Sequence, residues 1–157
     1  MELIPTPMPD GDVKVDILLV DDNPNNLLAL EAMLSDLGQN LVRAHSGVDA
    51  LRRLLEGDFA LALLNIQMPD LDGFQTAELI RSRERSRHMP IIFLTAHNKS
   101  DDQISKAYEL GAVDFLFKPI VPAILRAKVQ AFVELSRKTE EMKRQAQLLR
   151  EATQREH

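Results

Sequence analysis

Leu61-Ala-Leu-Leu-Asn65-Ile-Gln-Met-Pro-Asp-Leu-Asp-Gly73 is the stretch that decides the fold. An unbroken apolar run bounded by Pro and Gly predicts a short strand buried on both faces, ending in a polar residue and a turn. Asn65 is thereby placed at the mouth of a sheet, the edge beyond the strand carboxyl ends where open α/β sheets bind ligands.

Three further runs end the same way. Ile17-Leu-Leu-Val20 closes on Asp21 and Asp22, Ile91-Ile-Phe-Leu94 on Thr95, and Phe115-Leu-Phe117 on Lys118. Strand-like segments at about 16–20, 40–44, 60–65, 90–95 and 113–117 alternate with five helix-length segments, which predicts crossover units and a doubly wound parallel α/β sheet. One edge of that sheet then receives two carboxylates, an amide, a hydroxyl and an ammonium.

Helix signals fill the intervals. Pro24 suits a first turn, Leu27, Leu30, Leu34 and Leu37 share a face, and Gly38 ends that helix. Ser46 caps a second helix with Leu51, Leu54 and Leu55 inward and Gly57 as its stop. A third follows Asp72-Gly73, with Gly73 read as permitting unusual backbone angles, and buries Phe74, Ala77 and Ile80. It runs into Arg81-Ser-Arg-Glu-Arg-Ser-Arg-His88, read as a solvated helix end beside a C-terminal dipole. A shorter, more polar fourth helix spans about 100–110, with Ile104 and Ala107 inward and Gly111 after it.

From Pro122 to His157 there is neither Gly nor Pro, so one helix of more than thirty residues is predicted, far above the ~11–12 residue mean. Its distal part reads as heptads, with Phe132, Thr139, Ala146 and Thr153 at one seam position and Leu135, Met142 and Leu149 at the other. We expect a lead-in over 1–14, a globular domain over 15–130 and a helical, coiled-coil-forming extension over 131–157.

Composition removes several functions. The 157 residues, 45% hydrophobic and 27% charged, suit one domain with an appendage. Without cysteine there is no disulfide, thiolate nucleophile or cysteine-based zinc site, and any metal must be held by oxygen. A net charge of −5 disfavours a nucleic-acid footprint. No apolar run nears the ~18 residues of a membrane span. Three prolines between Pro5 and Pro9 and no basic start argue against a signal peptide, so a cytoplasmic location is expected.

Adjacent carboxylates at a strand end repel unless a cation lies beside them, and an all-oxygen site fits Mg²⁺. Taken alone, Asp-Asn-Pro serves equally well as turn and helix-start chemistry. Lys118 suits neutralisation of an anion, and Thr95 can offer a hydroxyl.

Asp21-Asp22-Asn-Pro24, Met68-Pro69 and Lys118-Pro119, on these strand contexts, strongly resemble the receiver domain of two-component response regulators over about residues 15–130. The resemblance implies a flavodoxin-like sheet of order 2-1-3-4-5. It implies Mg²⁺ held by Asp22 directly, by Asp21 through water, by residue 65 and by the backbone carbonyl of Gln67. It implies that Thr95 and Lys118 contact the phosphoryl group, that Thr95 and Phe115 form the switch, and that Gln67 and His97 modulate phosphate loss. A cis Lys118–Pro119 bond and a histidine kinase or phosphotransfer partner follow from it as well.

One position departs. Where the family places its phosphoacceptor aspartate stands Asn65, an uncharged and poor nucleophile, so this chain is expected to be phosphorylation-deficient. Three origins fit: an engineered substitution, a natural pseudo-receiver acting in dimerisation or protein interaction, or slow deamidation that regenerates Asp. The intact remainder of the site favours the first. A phosphatase of its own would need a further general acid or base and a cap domain, and a flavin binder a Gly-rich phosphate loop and aromatic residues. The long helix is expected to pair two copies in parallel.

Overall fold

The computed structural model describes residues 13–96, 101–112 and 114–155. Five parallel strands, β1 (Asp16–Val20), β2 (Asn40–Ala44), β3 (Leu61–Asn65), β4 (Ile91–Ala96) and β5 (Asp114–Lys118), lie in the order β2-β1-β3-β4-β5. Between and after them run α1 (Pro24–Leu34), α2 (Gly47–Glu56), α3 (Gly73–Ser82), α4 (Asp101–Glu109) and α5 (Pro122–Arg155). The doubly wound sheet expected from the sequence is therefore the one observed.

Burial follows the apolar runs. β3 is buried at all five positions, because it lies in the middle of the sheet with helices on both faces. Leu18, Val20, Leu64 and Phe93 point to the α2–α3–α4 side, while Ile17, Leu19, Leu63 and Leu94 meet α1 and α5. α1 starts at Pro24 under an Asn23 cap and gives way to a short 3-10 turn, which ends at Gly38 with φ 70°. Ser46 caps α2 by accepting from the Asp49 N–H, and Asp72 with Gln75 forms a reciprocal capping box on α3.

Three expectations need correction. Leu55 is 66% exposed, because the core face of α2 runs through Gly47, Ala50, Leu51 and Leu54, and Leu55 lies about 100° around the helix from Leu54. Gly73 does not adopt a positive φ; the left-handed residue of its turn is Asp70, at φ 66°. Gly73 is required for space instead, since a Cβ there would sit 2.4 Å from the Asn65 carbonyl oxygen.

The arginine cluster, third, is not simply solvated. Arg81 donates to the carbonyls of Met89 (2.7 Å), Arg87 (2.9 Å), Leu110 (2.7 Å) and Gly111 (3.0 Å), tying the end of α3 to the connections before β4 and β5. Burial lowers its guanidinium pKa. Arg83 reaches the Leu51 carbonyl, and Arg85 pairs with Asp58 at 2.7 Å.

α5 is one helix of 34 residues. Leu125, Val129 and Val133 fix its first three turns to the domain. Arg137 then donates from Nε and Nη2 to the Val13 carbonyl at 3.1 and 3.0 Å, which holds the entry to β1 against the helix. Beyond that level Met142 and Leu149 are 69% and 70% exposed. Among the described residues no helix is long and apolar enough to cross a membrane.

Candidate functional site

A parallel sheet aligns the carboxyl ends of its strands, so the residue after β1, the last residues of β3 and β5 and Thr95 near the end of β4 share one edge. The register carries this through: Val20 is level with Leu64, Asn65 with Leu94, and Thr95 with Phe117. The backbone continues the lattice past the strands, since the Asp21 N–H donates to the Ala44 carbonyl at 3.1 Å and the Ile66 N–H to that of Leu94 at 3.1 Å.

Three of the predicted side chains meet there. Asn65, 5% exposed, accepts a 3.1 Å hydrogen bond from Lys118 Nζ on Oδ1 and donates from Nδ2 to the Gln67 carbonyl at 2.8 Å. The same ammonium lies 3.5 Å from Asp21 Oδ2. Asp21 is 1% exposed, and its other oxygen accepts from the Asn23 N–H at 2.9 Å. Lys118 thus bridges the central strand to β1, and the Lys118–Pro119 peptide bond is cis.

Among the described residues, Asp21 Oδ2 and Thr95 Oγ1 are buried with no hydrogen-bond partner; Lys118 Nζ stands 3.5 Å from the first as an ion pair only. Orphaned acceptors of this kind each cost ~1–3 kcal/mol, and both lie at the one edge where the ammonium sits. Asp22, by contrast, is exposed and carries no bond to the other residues of the site. Thr95 is 1% exposed and is not bonded to Lys118 or Asn65.

The donor set fits a hard divalent cation in kind, offering two adjacent carboxylates, an amide and a carbonyl, all oxygen. Among the described residues no three carboxylate or imidazole side chains converge. The Asn65 amide occupies the Gln67 carbonyl itself, placing a hydrogen-bond donor where a cation would otherwise be attracted.

Phe115 is buried beneath this edge in a chain of rings, with centroids 6.2 Å from Phe93 and 5.2 Å from Phe117; Phe93 lies 5.2 Å from Phe74. His97 lies outside the described residues. Gly73 was not anticipated as part of the site. Its N–H donates to the Ile66 carbonyl at 2.8 Å, and its missing side chain lets α3 start against the Asn65 backbone. The Asp-Gly pair signalled the turn and not this contact.

The sequence profile of the response regulator receiver domain matches residues 17–130. The transcriptional regulatory protein GltR of Pseudomonas aeruginosa is 39% identical over 124 residues, which are 79% of this chain and 51% of that protein. The sensor histidine kinase GacS of Pseudomonas protegens is 38% identical over 107 residues, 66% of this chain and 12% of that one. The chain therefore spans about half or less of the curated relatives it matches. Among solved structures, the receiver domain of the sensor histidine kinase PA1611 from Pseudomonas aeruginosa, with magnesium coordinated in its active-site cleft, is 34% identical with a TM-score of 0.70, covering 78% of this chain and 99% of that one.

Proposed function

Because the chain belongs to the response regulator receiver family, we propose that its sheet edge is where a histidine kinase or phosphotransfer partner would deliver a phosphoryl group, and that Asn65 stops the transfer in this chain. The family is one of signalling modules and not of catalytic enzymes, so an Asp form would at most phosphorylate and dephosphorylate itself. The observation that supports the block is Asn65 itself, buried at the end of the central strand with its amide turned toward Lys118 and the Gln67 carbonyl. An amide has no anionic oxygen with which to attack phosphorus.

The remaining roles follow from chemistry. Asp21, Asp22, the Gln67 carbonyl and residue 65 would hold Mg²⁺, which neutralises charge on a transferred phosphoryl group when bound. The orphaned Asp21 oxygen supports this assignment. Lys118 would supply the second positive charge, and the unpartnered Thr95 hydroxyl would donate to a phosphoryl oxygen. Movement of Thr95 with Phe115 would then bias the α4–β5 side of the domain.

We assign the receiver to 15–130 and the output route to the helix over 131–157, with parallel self-association along Leu135, Met142 and Leu149, a cytoplasmic setting and no direct contact with nucleic acid. A natural pseudo-receiver that works by association alone is the second reading, and the exposed seam favours it equally.

Intact-mass measurement after incubation with acetyl phosphate and Mg²⁺ tests the block. The chain gains no phosphoryl group, while Asn65→Asp gains one per protomer. Labelling of the unmodified chain, or none of the variant, would overturn the assignment of residue 65.

A further inference from the structure

β5 is the last strand of the sheet and pairs on one side only, with β4, so it has half the ladder of a central strand. Thr95, Phe115 and Lys118 all lie on this pair. α4 beside it is lightly held: among its described residues only Ala107 is buried, with Ile104 partly so. Its Lys106 lies 3.9 Å from Glu78 and 5.3 Å from the Phe74 ring centroid, an exposed contact of the kind that contributes little.

The firm attachment comes from another helix. Arg81, in the last turn of α3, donates from Nε to the Leu110 carbonyl at 2.7 Å and from Nη2 to that of Gly111 at 3.0 Å, both just past the end of α4. Carbonyls at the end of a helix lack a donor within it, and a cation there is favoured by the helix dipole. α3 thus caps α4. With Nη1 the same guanidinium holds the Met89 carbonyl at 2.7 Å and that of Arg87 at 2.9 Å, directly before β4. Hydrogen bonds from an ionised donor are about twice as strong as neutral ones, so these four outweigh the Lys106 contact. Gly111 is shaped for the approach: it adopts φ 78°, and a Cβ there would lie 3.0 Å from Arg81 Nε. One guanidinium therefore joins the start of β4, the start of β5 and the end of α4, at the edge of the sheet opposite the site.

We propose that Arg81 is the pivot of this side of the domain, a positioning residue that fixes the amino-terminal ends of β4 and β5 and the carboxyl-terminal end of α4. A displacement at the Thr95–Phe115 end of the strands then cannot slide α4 as a body and is passed on as a tilt about Gly111. About 15 Å of helix separates Gly111 from Asp101, so a tilt of ~10° carries the far end about 2.5 Å while Gly111 stays in place. The tilt rests on the switch reading of Thr95 and Phe115 put forward above; the anchoring holds in the chain as it stands.

Amide hydrogen exchange of the full chain, resolved by residue with NMR, tests the anchoring. In Arg81→Met the amides of α4 and of the β4–β5 ladder should exchange about tenfold faster than the factor common to β1 and β2, which carries any general loss of stability. Arg81→Lys, which keeps the charge but not the fork, should fall between. Gly111→Ala should loosen the same amides, and adding it to Arg81→Met should change little further. Acceleration by one factor in every strand, or confined to residues 87–89 and 110–112, overturns the pivot. The tilt is read from residual dipolar couplings, which sense rotation and not sliding, in Asn65→Asp treated with acetyl phosphate and Mg²⁺. α4 should turn relative to β1 and β3, and in the added Arg81→Met background it should not. Signals of Thr95 and Phe115 that shift while α4 keeps its orientation overturn the pivot and leave the switch; signals that do not shift at all overturn the switch and the tilt with it.

Discussion

Asn65→Asp is the most informative single change, and its effect on stability follows from three contacts. The Nδ2 donor that meets the Gln67 carbonyl at 2.8 Å becomes a carboxylate oxygen, which sets two acceptors against each other in a site 5% exposed. Leaving a buried acceptor in that state costs ~1–3 kcal/mol. The new charge gains attraction to Lys118, already 3.1 Å from Oδ1, and incurs repulsion from Asp21, which shares that ammonium at 3.5 Å. With an effective dielectric of ~20 these Coulomb terms are of opposite sign and each a few kcal/mol, so they largely offset. A net loss of ~2 kcal/mol remains, or about 6 °C in midpoint for a chain of this size. A divalent cation at a hundredfold excess over its dissociation constant returns ~2.7 kcal/mol. Thermal melts followed by circular dichroism, in EDTA and in excess Mg²⁺, should therefore show a variant that melts about 6 °C lower in EDTA and recovers with Mg²⁺. The chain as it stands should change much less between the two conditions. A variant as stable as its parent in EDTA would mean that the amide–carbonyl bond contributes nothing, and an equal Mg²⁺ response would remove residue 65 from the metal.

Two further outcomes rest on packing and charge. The hydrogen bond from Arg43 holds the Glu31 carboxyl below its ordinary value of 4.5; its contribution is therefore present above about pH 4.5 and is lost as pH falls through the folded value. Urea melts of the chain and of Arg43→Ala should differ near neutrality and converge in acid; a difference that grows below pH 4 would contradict the sign. Gly73→Ala forces a Cβ to within 2.4 Å of the Asn65 carbonyl oxygen, and backbone on both sides cannot give way. A loss of ~3 kcal/mol or more, read from the urea midpoint, is expected, and a neutral result would show that the α3 start moves freely.

How much of this was legible depended on which forces leave a trace in residue order. Buried strands do, because β3 and β4 need unbroken apolar runs whatever surrounds them; their ends came within a residue of Leu61–Asn65 and Ile91–Ala96. The site was legible for the same reason, since parallel strands must bring their carboxyl ends to one edge. Contacts between polar groups and backbone leave no trace. Nothing in Arg81-Ser-Arg83 announces carbonyls waiting near residues 87, 89, 110 and 111, because those acceptors are peptide groups common to every sequence. Gly73 shows a different gap: a glycine after Asp signals a turn, but whether it serves φ or space depends on what packs on it, and here that is the backbone of the residue at the centre of the site. Leu55 failed because the core face of α2 passes through Leu51 and Leu54, and the next residue is turned about 100° away from it.

The geometry also bears on whether residue 65 can turn into aspartate unaided. Deamidation through a cyclic imide requires the Ile66 nitrogen to leave its peptide plane and attack the Asn65 side-chain carbon, expelling ammonia. That nitrogen is fixed by its bond to the Leu94 carbonyl at 3.1 Å, within the ladder that joins β3 to β4. Ile66 is β-branched and buried, which further restricts the rotation, and the Asn65 amide is itself pinned at both ends by Lys118 and Gln67. Breaking three hydrogen bonds in a buried sheet amounts to local unfolding of the central strand, so the reaction must wait for an opening with a free energy approaching that of the whole domain. Peptide mapping after days at pH 8 and 37 °C should then show residue 65 unchanged in the folded chain and converted to aspartate or isoaspartate in the chain held unfolded in urea. Conversion at residue 65 as fast in the folded chain as in the unfolded one would show that the end of β3 opens readily, and would reopen self-regeneration of the acceptor.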